Sequence, residues 1–158
     1  MEKIIVLGSA GNLGMYFVDY LMQNLDLETA AFLMVDLDRF KDVNDSFGHE
    51  TGDKILTRVT EALLKQFQED SYICRLGGDE FAILMLHCNE SKKEVIKTRV
   101  EKINEKLSKP KGNMPQISIS VGVSFGAMGK DGSRMFREAD EALYRVKKKG
   151  RKDICFYE

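Results

Sequence analysis

A surplus of one charge sign is missing. Lysine and arginine number 24 against 25 aspartate and glutamate, a formal net charge of -1, so no global field draws the chain to nucleic acid or to an anionic membrane. Grouped cysteines are missing too. Cys74, Cys88 and Cys155 are odd in number, scattered and without C-x-x-C spacing, which argues against a disulfide framework or a zinc site and suits a reducing cytoplasm. No apolar run is long enough to span a bilayer. The uncharged stretch from Ile4 to Val18 is short and carries Gly8, Gly11, Asn12 and Gly14. A signal peptide is not indicated, because Glu2 offsets Lys3 and no export-type cleavage site follows. The expected location is the cytoplasm, as a free protein or as the cytoplasmic part of a longer membrane-anchored one. Repeats and low-complexity linkers are absent.

What remains is a chain of 158 residues, 43% apolar and 31% charged, enough for one soluble domain with a real core. Ala31 to Val35 is a short continuous apolar run, the mark of a strand covered on both faces. Helical spacing recurs in Ile55, Leu56, Val59, Leu63 and Phe67, in Ile96, Val100, Ile103 and Leu107, and in Met135, Phe136, Ala139, Leu143 and Val146. Tyr72–Leu76 and Phe81–Leu86 flank Gly77-Gly78 as a hairpin. Ile117 to Phe125 alternates large apolar residues with serine and glycine. Ile154 to Tyr157 is a candidate edge strand, and 110–115 and 126–132 are turn-rich connections. This order predicts an α+β domain with helices mainly on one face of the sheet.

Three clusters carry chemistry. Asp36-Leu37-Asp38-Arg39-Phe40-Lys41-Asp42-Val43-Asn44-Asp45 begins where the apolar strand ends, a place for carboxylates to meet a hard cation, or to cap a helix. A calcium loop counted from Asp42 fails, since its sixth position is Phe47 instead of glycine. Arg75-Leu76-Gly77-Gly78-Asp79-Glu80-Phe81 places two acids after a tight turn that leaves room for a ligand. A plain hairpin has no need of both acids. Arg145, Lys147, Lys148, Lys149, Arg151 and Lys152 surround Gly150 and suit either a solvated helix end or a triphosphate. No aromatic residues interleave them, which argues against nucleic acid. His49 and His87 are isolated, and the eight methionines read as core filler.

The first forty residues offer a rival. Ile4-Ile5-Val6-Leu7 resembles a strand, Gly8, Gly11 and Gly14 follow, and Asp36 ends the next strand. This resembles a dinucleotide-binding fingerprint, with pyrophosphate at a helix N-terminus and an acid on the ribose. The Gly-x-x-Gly-x-x-Gly spacing departs from the stricter form, and Asp38 and Lys41 are left unused.

Taken together, the clusters resemble the GGDEF family. Gly77-Gly78-Asp79-Glu80-Phe81 is its signature. Asp36 to Lys41 and Asn44 to Asp53 match its upstream block, Ser118 to Val123 its late strand, and Ala139 to Tyr144 with Lys147, Gly150 and Arg151 its last helix and turn. The resemblance takes 1–158 as one GGDEF domain, with 1–29 divergent and 30–158 matching. It implies a nucleotide-cyclase palm with a ferredoxin-like central antiparallel sheet flanked by helices. It also implies a diguanylate cyclase that condenses two GTP into cyclic di-GMP with Mg²⁺ or Mn²⁺ in an antiparallel homodimer. Asp36, the Leu37 carbonyl and Asp79 would hold the metal, with Glu80 a catalytic acid or further ligand beside Asp79. Asn44 and Asp53 would read the guanine edge, where a carboxylate accepts from N1–H and the 2-amino group. Lys41, Lys147 and Arg151, with loop amides near Phe40, would hold the β- and γ-phosphates. An upstream sensory or regulatory domain is the expected partner.

Two stretches depart from the family. Its Asp-x-Leu-Thr-Gly-Leu-x-Asn-Arg opening aligns with Ile5 to Leu13, where only Leu7 and Asn12 survive. Its inhibitory product site, an Arg and an Asp three apart, aligns with Gln68-Glu69-Asp70-Ser71, so no feedback inhibition through that stretch is expected. Besides an active cyclase, the sequence therefore supports a silent GGDEF domain that binds GTP and regulates a partner.

Overall fold

The computed structural model describes residues 6–7, 16, 20–21, 23–25, 28–127 and 132–158. The strands are β1 (Val6–Leu7), β2 (Ala30–Leu37), β3 (Ser71–Gly77), β4 (Glu80–Leu86), β5 (Ile119–Gly126) and β6 (Ile154–Phe156). The α-helices whose bounds fall within the described residues are α1 (Phe40–Phe47), α2 (His49–Phe67), α3 (Lys93–Ser108) and α4 (Gly132–Lys149). They build one six-stranded sheet in the order β1-β3-β4-β2-β5-β6. The four central strands are antiparallel, while β1 runs parallel to β3 and β6 parallel to β5.

Strand β2 lies at the middle, and all eight of its residues are buried. Its alternation feeds two cores. Ala31, Leu33, Val35 and Leu37 pack with Ile55, Val59, Leu63 and Phe67 of α2 and Ile96, Val100, Ile103 and Leu107 of α3. Ala30, Phe32 and Met34 pack with Met135, Ala139 and Leu143 of α4 and with Leu21.

As the element order suggested, helices lie mainly on one face, where α1, α2 and α3 pack, while α4 covers the other. The periodicity of α4 shows that it has an apolar side, but not which side of the sheet it meets. Strand β5 settles this. Its small residues face α4, and a Cβ at Gly122 would come within 2.1 Å of the Ala139 carbonyl oxygen and 2.3 Å of the Leu143 nitrogen. The serine–glycine alternation thus marks a close helix crossing, and not a solvated face.

The dinucleotide-binding reading is overturned by topology. It requires β1 and β2 to be adjacent parallel strands, yet β3 and β4 separate them. Gly8, Gly11 and Gly14, and most of the divergent Ile5–Leu13 run, lie outside the described residues.

Candidate active site

The sheet brings the acids together at one end. Asp36, the penultimate residue of β2, pairs in register with Glu80 on one side and Ser120 on the other. Residues opposite one another in an antiparallel pair project to the same face, so Asp36 and Glu80 share the α4 side. The Gly77-Gly78 turn, with φ of 155° and 51°, delivers Asp79 just before β4. The Leu37 N–H donates to the Asp79 carbonyl at 3.0 Å, fixing the turn against β2. The Arg75 guanidinium locks it further, donating from Nε and Nη2 to the Gly78 carbonyl at 3.0 and 2.7 Å.

Burial pushes the Asp36 carboxyl up to about 6, and the neighbouring Asp79 and Glu80 charges add to the rise. Lys147, reaching from the last turn of α4, forms an ion pair with Asp36 and opposes that shift. A cation is therefore already accommodated against the acidic end of the sheet. Among the described residues, no three histidine, cysteine, aspartate or glutamate side chains converge enough to hold a metal by themselves. Hard oxygen donors that leave a cage open fit a small divalent cation, which keeps waters and takes one or two carboxylates together with substrate phosphates.

The acids of the first cluster divide by role. Asp38 does not cap α1: the N-cap is Arg39, in the left-handed region at φ 55°, with no side-chain cap bond. Asp38 accepts hydrogen bonds from Ser118 Oγ and Ser120 Oγ, both at 2.6 Å, and from the Lys152 N–H at 3.0 Å. It pins the Gly150–Lys152 turn to the strand ends. Gly150 (φ 120°) closes α4, with the Arg151 N–H donating to the Val146 carbonyl at 3.1 Å. Asp38 thereby positions Arg151, a role its place in an acidic run did not reveal.

Asn44 and Asp53 meet at a second corner. Gly48 (φ 83°) ends α1 and starts α2, so that Asn44 lies against the first turn of α2. The fit is tight, since a Cβ on Gly52 would fall 1.9 Å from Asn44 Oδ1 and 3.3 Å from Phe40 Cζ. Asp53, the next residue, is exposed. Phe40 is buried under this corner as the root of α1, while Lys41 is exposed. Among the described residues, no hydrogen bond or ion pair joins the Asn44–Asp53 corner to the acidic turn.

The family model described as "Diguanylate cyclase, GGDEF domain" matches residues 16–153. The chain belongs to the GGDEF family. Similar curated proteins include diguanylate cyclase DosC of Escherichia coli K12, 38% identical over 128 residues, which cover 78% of this chain and 27% of DosC. The cyclic di-GMP phosphodiesterase PdeR of the same organism is 33% identical over 144 residues, 89% of this chain and 21% of PdeR. The chain thus spans about a quarter of the length of these relatives. Among solved structures, the active GGEEF domain of a diguanylate cyclase from Vibrio cholerae superposes with a TM-score of 0.72 at 26% identity, covering 93% of this chain and 91% of that one. The GGDEF domain of DgcB from Caulobacter crescentus, in complex with c-di-GMP, gives a TM-score of 0.72 at 29% identity, covering 82% and 76%. The GGDEF assignment places the chain in a family of cyclic di-GMP signalling domains. No described helix is long and apolar enough to cross a membrane.

Proposed function

We propose that this GGDEF domain is catalytic and condenses two GTP into cyclic di-GMP, with Mg²⁺ or Mn²⁺ and a second copy of the chain. The carrying observation is the intact acidic end of the sheet: Asp36 and Glu80 in register, Asp79 on the turn, and Lys147 already paired with Asp36. In this reading Asp36, the Leu37 carbonyl and Asp79 hold the metal, with Glu80 beside them. The bound cation would supply a lowered pKa at the attacking 3′-hydroxyl and charge neutralisation at the α-phosphate.

The chain's own residues supply positioning. Asn44 and Asp53 orient guanine, while Lys41, Lys147, Arg151 and the amides near Phe40 hold the β- and γ-phosphates. Each 3′-oxygen forms a bond to the α-phosphorus of the other GTP, and each α–β anhydride bond breaks. Two pyrophosphates leave and two hydroxyl protons are released. Because each domain presents one GTP, the site is complete only in a two-fold dimer. An upstream regulatory domain that controls this pairing, and a cytoplasmic location, complete the proposal.

A second reading, GTP binding without turnover that regulates a partner, is favoured by the likeness to a relative named as a phosphodiesterase. Turnover separates the two. Concentrated protein with GTP and Mg²⁺ is expected to yield cyclic di-GMP by mass spectrometry, and an Asp79→Ala/Glu80→Ala variant to yield none. Bound GTP with no product, even when dimerisation is forced, would establish the regulatory reading instead.

A further inference from the structure

Beside the phosphate end of the proposed GTP site lies a cavity of about 490 Å³, of whose lining the proposed reaction uses Arg151 alone. Its volume falls within the roughly 300–1,000 Å³ range of small-molecule sites. One wall is α1 and the residues before it, including Arg39 and Asp42. The other is the Gln116–Ser118 segment with the Gly150–Lys152 turn. Arg39, Arg151 and Lys152 all line it, each with backbone in the left-handed region. Among the described residues, none of these three side chains has an ion-pair or hydrogen-bond partner. Two carboxylates, Asp38 and Asp42, also line the cavity, but both Asp38 oxygens are already engaged by Ser118, Ser120 and the Lys152 N–H.

Cations without an intramolecular partner around a cavity can receive an anion, and guanidinium groups suit phosphate best. The cavity's place indicates which anion. It contains Arg151 of the proposed phosphate set, and Arg39 immediately precedes Phe40 and Lys41. It therefore opens off the β/γ-phosphate end and not the guanine corner. The species set free at that end, once the α–β bond breaks, is pyrophosphate.

We propose that this cavity is a second anion subsite that receives inorganic pyrophosphate after it leaves the α-phosphate, with Arg39 and Lys152 as residues that bind the leaving group rather than GTP. The ligand's identity rests on the cyclase reading, while the anion site rests on the cavity itself. Pyrophosphate held here vacates Lys41 and Lys147 for the next GTP.

The test is calorimetric titration of the full chain with inorganic pyrophosphate, and separately with GTP, in magnesium buffer. The proteins compared are the parent, Arg39→Gln/Lys152→Asn and Asn44→Ala. The double variant is expected to weaken pyrophosphate binding at least tenfold and GTP binding less than twofold. Asn44→Ala is expected to do the reverse. Should the double variant fail to fold, Arg39→Gln alone reads the same ratio, because its exposed side chain has no partner to lose. Unchanged pyrophosphate affinity, or equal losses for both ligands, would overturn the subsite and leave the cyclase reading standing. Pyrophosphate binding that depends on Arg39 and Lys152, in a chain that fails to bind GTP, would do the opposite.

Discussion

Gly52→Ala should separate recognition from stability. Gly52 sits in the first turn of α2 without a positive φ, so alanine is conformationally acceptable and gains up to about 1 kcal/mol in helix propensity. Its Cβ, however, would stand 1.9 Å from Asn44 Oδ1 and 3.0 Å from Asn44 Cγ, roughly 1.5 Å inside ordinary contact distance. The obstacle is the tip of a flexible side chain and not backbone, so the amide swings away at small cost, with slight pressure on Phe40. Net stability should therefore change by no more than about 1 kcal/mol in either direction. GTP binding should fall about tenfold, the equivalent of one or two hydrogen bonds at roughly 1 kcal/mol each. Urea unfolding gives the first quantity and calorimetric GTP titration the second. Asn44→Ala should show a similar affinity loss, and the double variant little more, since both remove one interaction. A Gly52→Ala protein destabilised by more than about 2 kcal/mol, or one binding GTP as the parent does, would refute the assignment of Asn44 to guanine through this packing.

Three further outcomes follow from the same structure. Gly122→Ala should cost about 3 kcal/mol or more in urea unfolding, because the new methyl meets the backbone of Ala139 and Leu143 and the α4 helix must lift from β5; a loss under about 1 kcal/mol would show that the helix does not cross there. A disulfide reagent at pH 8 should modify one thiol quickly in the native chain, Cys155, and all three after denaturation. Burial shields Cys74 and Cys88 and pushes both thiols up, Cys74 to about 11, leaving roughly one Cys74 in a thousand ionised at that pH; two or more fast thiols would contradict the packing. Cyclic di-GMP should not inhibit turnover through the Gln68–Ser71 stretch, where Asp70 is held by Arg99 in two hydrogen bonds of 2.9 Å and accepts another from Ser71 Oγ; tight inhibitory binding abolished by Arg99→Ala would reverse this.

The parts of the fold that follow a local rule were legible in the sequence. The apolar run of β2, the 3.6-residue spacing of α2, α3 and α4 and the Gly77-Gly78 turn each stand within a few residues of their observed places. The family motifs also led to the acids that the sheet juxtaposes, because Asp36 and Glu80 sit at the ends of strands that pair directly.

What escaped depends on contacts between distant segments. Asp36 and Asp38 look equivalent in an acidic run, two residues apart. Only the strand pairing shows that one faces Glu80 and Lys147 while the other is consumed by Ser118, Ser120 and Lys152. Asn104 falls outside the apolar spacing of α3, yet it is buried and bonds both backbone groups of Ile119 at the start of β5. Arg58 falls outside the apolar spacing of α2, yet it is buried and donates to the Lys106 and Lys109 carbonyls at 2.7 Å, satisfying the C-terminal end of α3. In each case a polar side chain finds its partners in a segment 15 or more positions away. Such partners have no sequence period to betray them. The same logic separates the two kinds of charge around the phosphate end: Asp38 is used up in positioning Arg151, whereas among the described residues the Arg39 and Lys152 side chains have no partner, which leaves them to a ligand.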